Sequence, residues 1–291
     1  TDSAMSNRVN LVCTNLLVAA GGRIDVDALG YAGITNEVNG NQGYGPGGGT
    51  IQGTTNIRGG GGGHGGRGGP GFYNNSLMRS YGGATNGSAG NPLNPGSGGG
   101  GGSGGPSEFS GHGGGAIRIE VAGWVTNNGM ITANGGPYRS GTRSGGGSGG
   151  AIRIACATLG GDGGVIQAQG GLGASFPGDG AGGGGGGRIA VLYDPVAQSN
   201  QPPPGIRFLA TGGNGTTTGE VGTLYFADHQ FIDGVTVFST NNFTGQIIAG
   251  DFTNWAPASL TVSNTWIRFP QDGFQLVVAN DLRISGVAGR L

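Results

Sequence analysis

Between Gly113 and Phe226 the apolar residues alternate in short bursts. Ile117, Ile119 and Val121 share one face of such a burst, with Arg118 and Glu120 on the other. Ile152, Ile154 and Cys156 repeat the pattern with Arg153 opposite, and Ile189 with Val191 repeats it again. A second burst follows each first one. There Ile131 and Ala133 match Ile166 and Ala168, and then Phe208 and Ala210. A period of two predicts strands rather than helices. Ile117, Ile152, Ile189 and Leu224 are 35, 37 and 35 residues apart. The motif Ala-x-Gly-Gly, at Ala133, Ala168 and Ala210, recurs after 35 and then 42 residues, with the insertion Gln201-Pro202-Pro203-Pro204 in the longer interval. Two independent markers keeping one period identify a repeat architecture.

Such short strands cannot bury an apolar face alone. Stacked on their counterparts about 4.8 Å away, they form a continuous core. The predicted fold is therefore all-β: a right-handed parallel β-solenoid, the hand following from the rule for parallel crossovers. Each unit has two strands joined by a turn. The predicted core is Ile117, Ile119, Ile131, Ala133, Ile152, Ile154, Ile166, Ala168, Ile189, Val191, Phe208, Ala210 and Leu224.

The pattern divides the chain into four regions. Residues 1–30 hold a degenerate turn, with Val9, Leu11 and Cys13 alternating before Gly22–Gly30. Residues 31–112 form a long glycine-rich excursion that has structure of its own or is disordered. Residues 113–226 are the repeats. Residues 227–291 lack glycine tracts and carry dense β-type runs: Val235–Phe238, Gln246–Ala249, Leu260–Val262, Trp266–Phe269, Phe274–Val278 and Leu282–Ser285. They predict further turns with tight corners. No polar, cap-like segment follows, so the last strand edge is expected to be covered by more chain or by another subunit.

Composition sharpens this picture. Glycine supplies 74 of 291 residues, which makes helix improbable over most of the length. Collagen is excluded, because glycine does not recur at every third position. The glycine tracts Gly113–Gly115, Gly145–Gly150 and Gly182–Gly187 each directly precede a first strand. Mobile loops need not keep phase with a repeat. The tracts are therefore expected to be polyproline-II strands packed side by side, their backbones approaching closely because no Cβ intervenes. The net charge is −1, and all 14 basic residues are Arg. That balance argues against nucleic acid or an anionic membrane as partner. No apolar run is long enough to span a membrane.

Candidate chemistry is sparse. Cys13 and Cys156 are the only cysteines. A disulfide and two free buried thiols both remain open; a separation of about two turns exceeds the reach of a disulfide and favours free thiols. His64, His112 and His229 are scattered with no metal-ligand spacing. His64 and His112 both sit in glycine tracts, which leaves room for a shared polar contact. Asp25 and Asp27 alternate on one strand, but the matching positions of later units are Thr132 and Gln167, so solvated carboxylates are expected rather than an acid–base pair. Arg58-Gly59-Gly60 and Arg67-Gly68-Gly69 give a weak nucleic-acid signal. Asn74, Asn86, Asn214 and Asn242 begin N-x-[ST] sequons, which matter only in a glycosylating eukaryote. No catalytic, cofactor or metal site is assigned.

The units GGGAIRIEVAGWVTNNGMITANGG (113–136) and GGGSGGAIRIACATLGGDGGVIQAQGG (145–171) resemble those of glycine-rich, β-solenoid-like bacterial extracellular surface and fibre proteins. The resemblance covers residues 110–226 well and 9–30 weakly. It implies an extracellular, structural or adhesive role, and the family has no settled catalytic residues to carry over. The expected function is a non-catalytic structural subunit that stacks head-to-tail on copies of itself into a filament or surface layer. The alternative is an adhesin binding surface glycans through Trp124, Tyr138 and Tyr73. A polysaccharide-active β-helix enzyme ranks third.

Overall fold

A computed structural model of the chain describes residues 8–291 apart from 36–41, 53–55, 75–76, 104–108, 176–178, 234–236, 239–242, 251, 264 and 287–289. Seven strands build one parallel sheet. Their spatial order is Arg8–Cys13, Ala116–Val121, Ala151–Ala155, Arg188–Leu192, Thr223–Phe226, Gln246–Ala249 and Trp266–Arg268. The register is direct. Val9, Ile117, Ile152, Ile189, Leu224, Ile247 and Ile267 occupy one column. Leu11, Ile119, Ile154, Val191, Phe226 and Ala249 occupy the next. A slip of one residue would turn each set of side chains to the wrong face, so the columns hold the register.

A five-stranded parallel sheet contains Arg23–Asp25, Met130–Thr132, Asp162–Gln167, Gly205–Leu209 and Phe243–Thr244. Its inner column runs Ile24, Ile131, Ile166, Phe208 and Phe243. Toward the C-terminal end the isoleucines give way to aromatics, and Phe208 and Phe243 stack with ring centroids 5.6 Å apart. Every residue of the core set named above is at most 1% exposed, and all belong to one apolar cluster. All-β architecture with parallel sheets is thus the observed class; two four-residue helices, Pro195–Gln198 and Gln230–Asp233, are its helical content among the described residues.

The units contain one strand more than the sequence pattern indicates. Leu16–Val18, Trp124–Asn127 and Thr158–Gly160 form a third parallel sheet where a turn was expected. A buried polar residue disguises the alternation. Asn127 is fully buried; its Nδ2 donates to the Val165 carbonyl (3.4 Å), and its Oδ1 accepts from the Gly129 amide (3.2 Å). The next unit substitutes the helix Pro195–Gln198 for this strand, with Asp194 capping it by accepting from the Val196 and Ala197 amides. Buried Gln198 then completes the sheet edge. Its Oε1 accepts from the Leu159 amide at 2.8 Å and its Nε2 donates to the Leu159 carbonyl at 3.2 Å. One side-chain amide thus makes the two bonds that a neighbouring strand would supply.

In the C-terminal region the parallel sets are Val237–Phe238, Leu260–Ser263 and Leu282–Ser285, and Asn254–Trp255 with Gln275–Leu276. Val235, where the first of the expected runs begins, lies outside the described residues. Phe243–Thr244 and Asn254–Trp255 are strands too short for a periodicity to reveal.

The glycine tracts are buried and packed against one another. One file of backbone hydrogen bonds crosses successive units: Gly219 donates to Gly213, Gly213 to Gly184, Gly184 to Gly171, Gly171 to Gly147, and Gly147 to Gly136, at 2.7–3.0 Å. The excursion does not stand apart from this layer. Gly62 donates to Gly146 at 2.9 Å, Gly145 to Gly100 at 2.9 Å, and Gly100 to Gly60 at 2.8 Å. Its described glycines therefore interleave with the repeat tracts. It also carries the antiparallel hairpin Gly71–Tyr73/Leu77–Ser80. Residues 89–90 roof part of the large sheet's outer face, where Ala190, Tyr225 and Ile248 form a small buried cluster with Ala89 against it. Glycine is required in this layer for lack of space. A Cβ on Gly61, Gly145 or Gly184 would run into the carbonyl of Gly183, Gly60 or Gly147 respectively.

Candidate functional site

The two ends of the stack differ from its middle, and they are the candidate site. At one end Arg8–Cys13, Leu16–Val18 and Arg23–Asp25 each have a described partner strand on one side only. Val9 and Leu11 are half-buried there, whereas Ile117 and Ile119 on the next strand are at most 1% exposed. Val12 and Leu17 stand out into solvent, 77% and 56% exposed. At the other end Leu260 and Val262 are fully buried. Their register partners Leu282 and Ile284, one strand further on, are 47% and 49% exposed. Among the described residues the apolar columns thus run to the first and last strands of the stack, and these strands pair on one side only. At the edge of the seven-stranded sheet Arg290 adds one parallel bridge to Trp266.

The other sequence candidates resolve into structural contacts. His64 is fully buried; its Nδ1 faces the Gly149 and Gly150 carbonyls at 3.1 and 3.2 Å, and among the described residues its Nε2 has no hydrogen-bond partner. Burial first, and then the charge of Arg188, pull its pKa down to about 4, so the ring is neutral at neutral pH. Among the described residues no hydrogen bond joins His112 to it. The His112 Nδ1 accepts from the Gly33 amide at 2.9 Å, and burial together with the Arg139 guanidinium keeps its protonation below the ordinary range. His229 packs edge-on to Phe252. Among the described residues no group of three or more His, Cys, Asp or Glu is placed to hold a metal ion.

Cys13 and Cys156 are free, but only Cys156 is even partly buried; Cys13 is exposed on a strand that, among the described residues, pairs on one side only. This corrects the expectation of two buried thiols. Burial pushes the Cys156 thiol up to about 12, which leaves it unreactive at neutral pH. Asp25 pairs with Arg23 at 2.7 Å, and Asp27 accepts from the Asn134 backbone and side-chain amides at 2.6 and 3.0 Å. Asp27 therefore ties the first unit to the second and is not merely solvated.

Arg58, half of the weak nucleic-acid signal, is 1% exposed. Its Nε and Nη2 donate to both carboxylate oxygens of Asp179 at 2.5 and 2.6 Å. It also lies over the Tyr73 ring, 4.9 Å from the centroid, which ties up one of the proposed glycan-binding aromatics. Trp124 is 45% exposed on the middle sheet beside Pro202–Pro204, and Tyr138 is 37% exposed on a loop beside Leu172. The three aromatics stand on three separate elements. Asn86 uses its side-chain amide to bond the Gly63 and Ala84 carbonyls; Asn74 and Asn214 are exposed, and Asn242 lies outside the described residues.

Sequence reasoning missed Gln198, the Arg58–Asp179 pair and buried Arg188. No local signal marks them, since each depends on a neighbour far along the chain. Among the described residues no helix is long and apolar enough to cross a membrane. No protein-family model, no curated protein and no solved structure matches the chain.

Proposed function

We propose that this chain is a non-catalytic, extracellular structural protein. Its sheets form a right-handed parallel β-solenoid flanked by polyproline-II-like glycine strands, and copies stack head-to-tail into a filament or surface layer. The carrying observation is the direct register, in which each strand seals the apolar column of its predecessor, as Leu282 and Ile284 lie on fully buried Leu260 and Val262. A copy laid on the stack would continue that column by the same contact. Because every strand of the stack runs parallel, one end is complementary to the other rather than to itself. That geometry favours a heterologous contact, which propagates instead of closing. The packed glycine layer supports the reading by making the whole cross-section translationally repetitive. The resemblance of residues 113–171 to secreted fibre proteins supports the extracellular assignment.

Negative-stain microscopy of the purified chain tests it. Filaments one subunit wide, lost in a Leu282→Asp/Ile284→Asp variant that keeps its β-type circular dichroism, are the expected result. Monodisperse rods of single-chain length at high concentration would sink the proposal.

A further inference from the structure

A cleft of about 510 Å³ opens between the glycine layer and the outer face of the seven-stranded sheet, near its C-terminal edge. Four arginines line it: Arg67 from the excursion, Arg188 from the sheet, Arg268 from the last strand of that sheet and Arg290 from the bridge beside it. One carboxylate, Glu220, faces them, and it accepts a backbone bond from Arg67 at 3.2 Å. The register explains how they meet. Arg188, Thr223, Gln246 and Trp266 are successive members of one column on the sheet, and Arg268 lies two residues beyond Trp266 on the same face.

Arg188 is the unusual member. It is 7% exposed, and among the described residues it has no acidic partner. Three neutral groups hold it: the Asn86 carbonyl at 2.9 Å, the Thr223 hydroxyl at 3.1 Å and the His64 carbonyl at 3.3 Å. A guanidinium has five N–H donors, so two remain. Burial lowers its pKa only to about 10, and it stays cationic at neutral pH. A buried cation without a counter-charge is costly unless an anion completes it. Arg268 and Arg290 are exposed and both lie over the Trp266 ring, 5.9 and 5.6 Å from its centroid. That contact orders two guanidiniums at the rim of the cleft.

We propose that this cleft binds an acidic saccharide, its carboxylate or sulfate held by Arg188 and the rim arginines. Guanidiniums match the planar, two-oxygen geometry of such groups. The cleft is too large for a lone ion, and its remaining polar lining fits sugar hydroxyls: Thr85, Thr223 and Thr265 carry hydroxyls, and Gln246 carries an amide. The proposal does not rest on filament formation.

Calorimetric titration of the full chain with trigalacturonate, its methyl-esterified neutral counterpart and inorganic sulfate tests it. The expected result is binding of the acid oligomer alone, weakening as salt rises. The Arg268→Gln/Arg290→Gln variant should lose affinity by about tenfold or more, as removal of charge-assisted bonds requires. Arg67→Gln, an exposed change, provides a second variant whose folding is not in question. Equal binding of the neutral oligomer overturns the proposal, as does sulfate binding as tightly as the saccharide. So does an absence of all binding. If the double variant blocks assembly but leaves saccharide affinity intact, the cleft is a seam between copies and the proposal also fails.

Discussion

A methyl group on Gly184 would collide with the carbonyl oxygen of Gly147, one unit away in the stack. The amide of Gly184 meanwhile donates to Gly171 and its carbonyl accepts from Gly213. Backbone bonding and backbone contact use the same narrow space. Gly184→Ala should therefore destabilise the fold by about 3 kcal/mol, the upper range for forcing an atom into a packed interior. Gly160, on the middle sheet, has nothing within 4 Å of the corresponding point. Gly160→Ala should instead stabilise by about 0.5 kcal/mol, through reduced freedom of the unfolded chain. Chemical denaturation of the two variants side by side checks the contrast.

Acid should weaken the fold through His64. Its pKa is about 4 in the folded state and 6.5 unfolded. Above pH 6.5 both states hold a neutral ring, and its contribution is complete. Between 6.5 and 4 the unfolded state takes up a proton that the folded state refuses, so stability falls as pH falls. The loss approaches about 3 kcal/mol below pH 4. Denaturation curves at pH 7, 5.5 and 4 for the parent and His64→Gln should show that component of the slope only in the parent.

The pair Arg58–Asp179 should respond unequally to its two halves. Asp179→Asn leaves a guanidinium that is 1% exposed without its counter-charge and should cost about 3 kcal/mol. Arg58→Met leaves a carboxylate that is 36% exposed and can recover water, so its cost should be smaller. Equal costs measured by thermal denaturation would contradict this account.

Gln198→Leu keeps the side-chain size and removes both bonds to Leu159. The Leu159 amide and carbonyl are then left without partners in a buried strand, at a cost of about 2 kcal/mol. Hydrogen exchange at the Leu159 amide should accelerate in the variant while exchange at Ile154, in the neighbouring sheet, changes little.

Much of the fold was legible in the chain. The alternation at Ile117–Val121 and Ile152–Cys156, and the spacing from Ile117 to Leu224, specify strands that must stack in register, because a period-two apolar face is satisfied only by another like it. The in-phase recurrence of the glycine tracts likewise shows that they belong to the stack. What the tracts pack against was not legible. The excursion glycines Gly60, Gly62 and Gly100 fit between tracts from later units, and glycine carries no side-chain pattern to announce a partner. Asn127 hid a strand by putting an amide where an apolar residue was expected.

The local sequence thus determined the strands, their repeat and the inward columns, since these depend on nearest-neighbour alternation and on burial common to every unit. Only the tertiary structure decided the middle sheet, the Gln198 edge, the Arg58–Asp179 pair and the gathering of four arginines in one cleft. Arg58 and Asp179 are 121 residues apart, and Arg188 meets the His64 carbonyl across 124. Contacts at such separations follow from how the excursion threads the stack, which no local periodicity encodes.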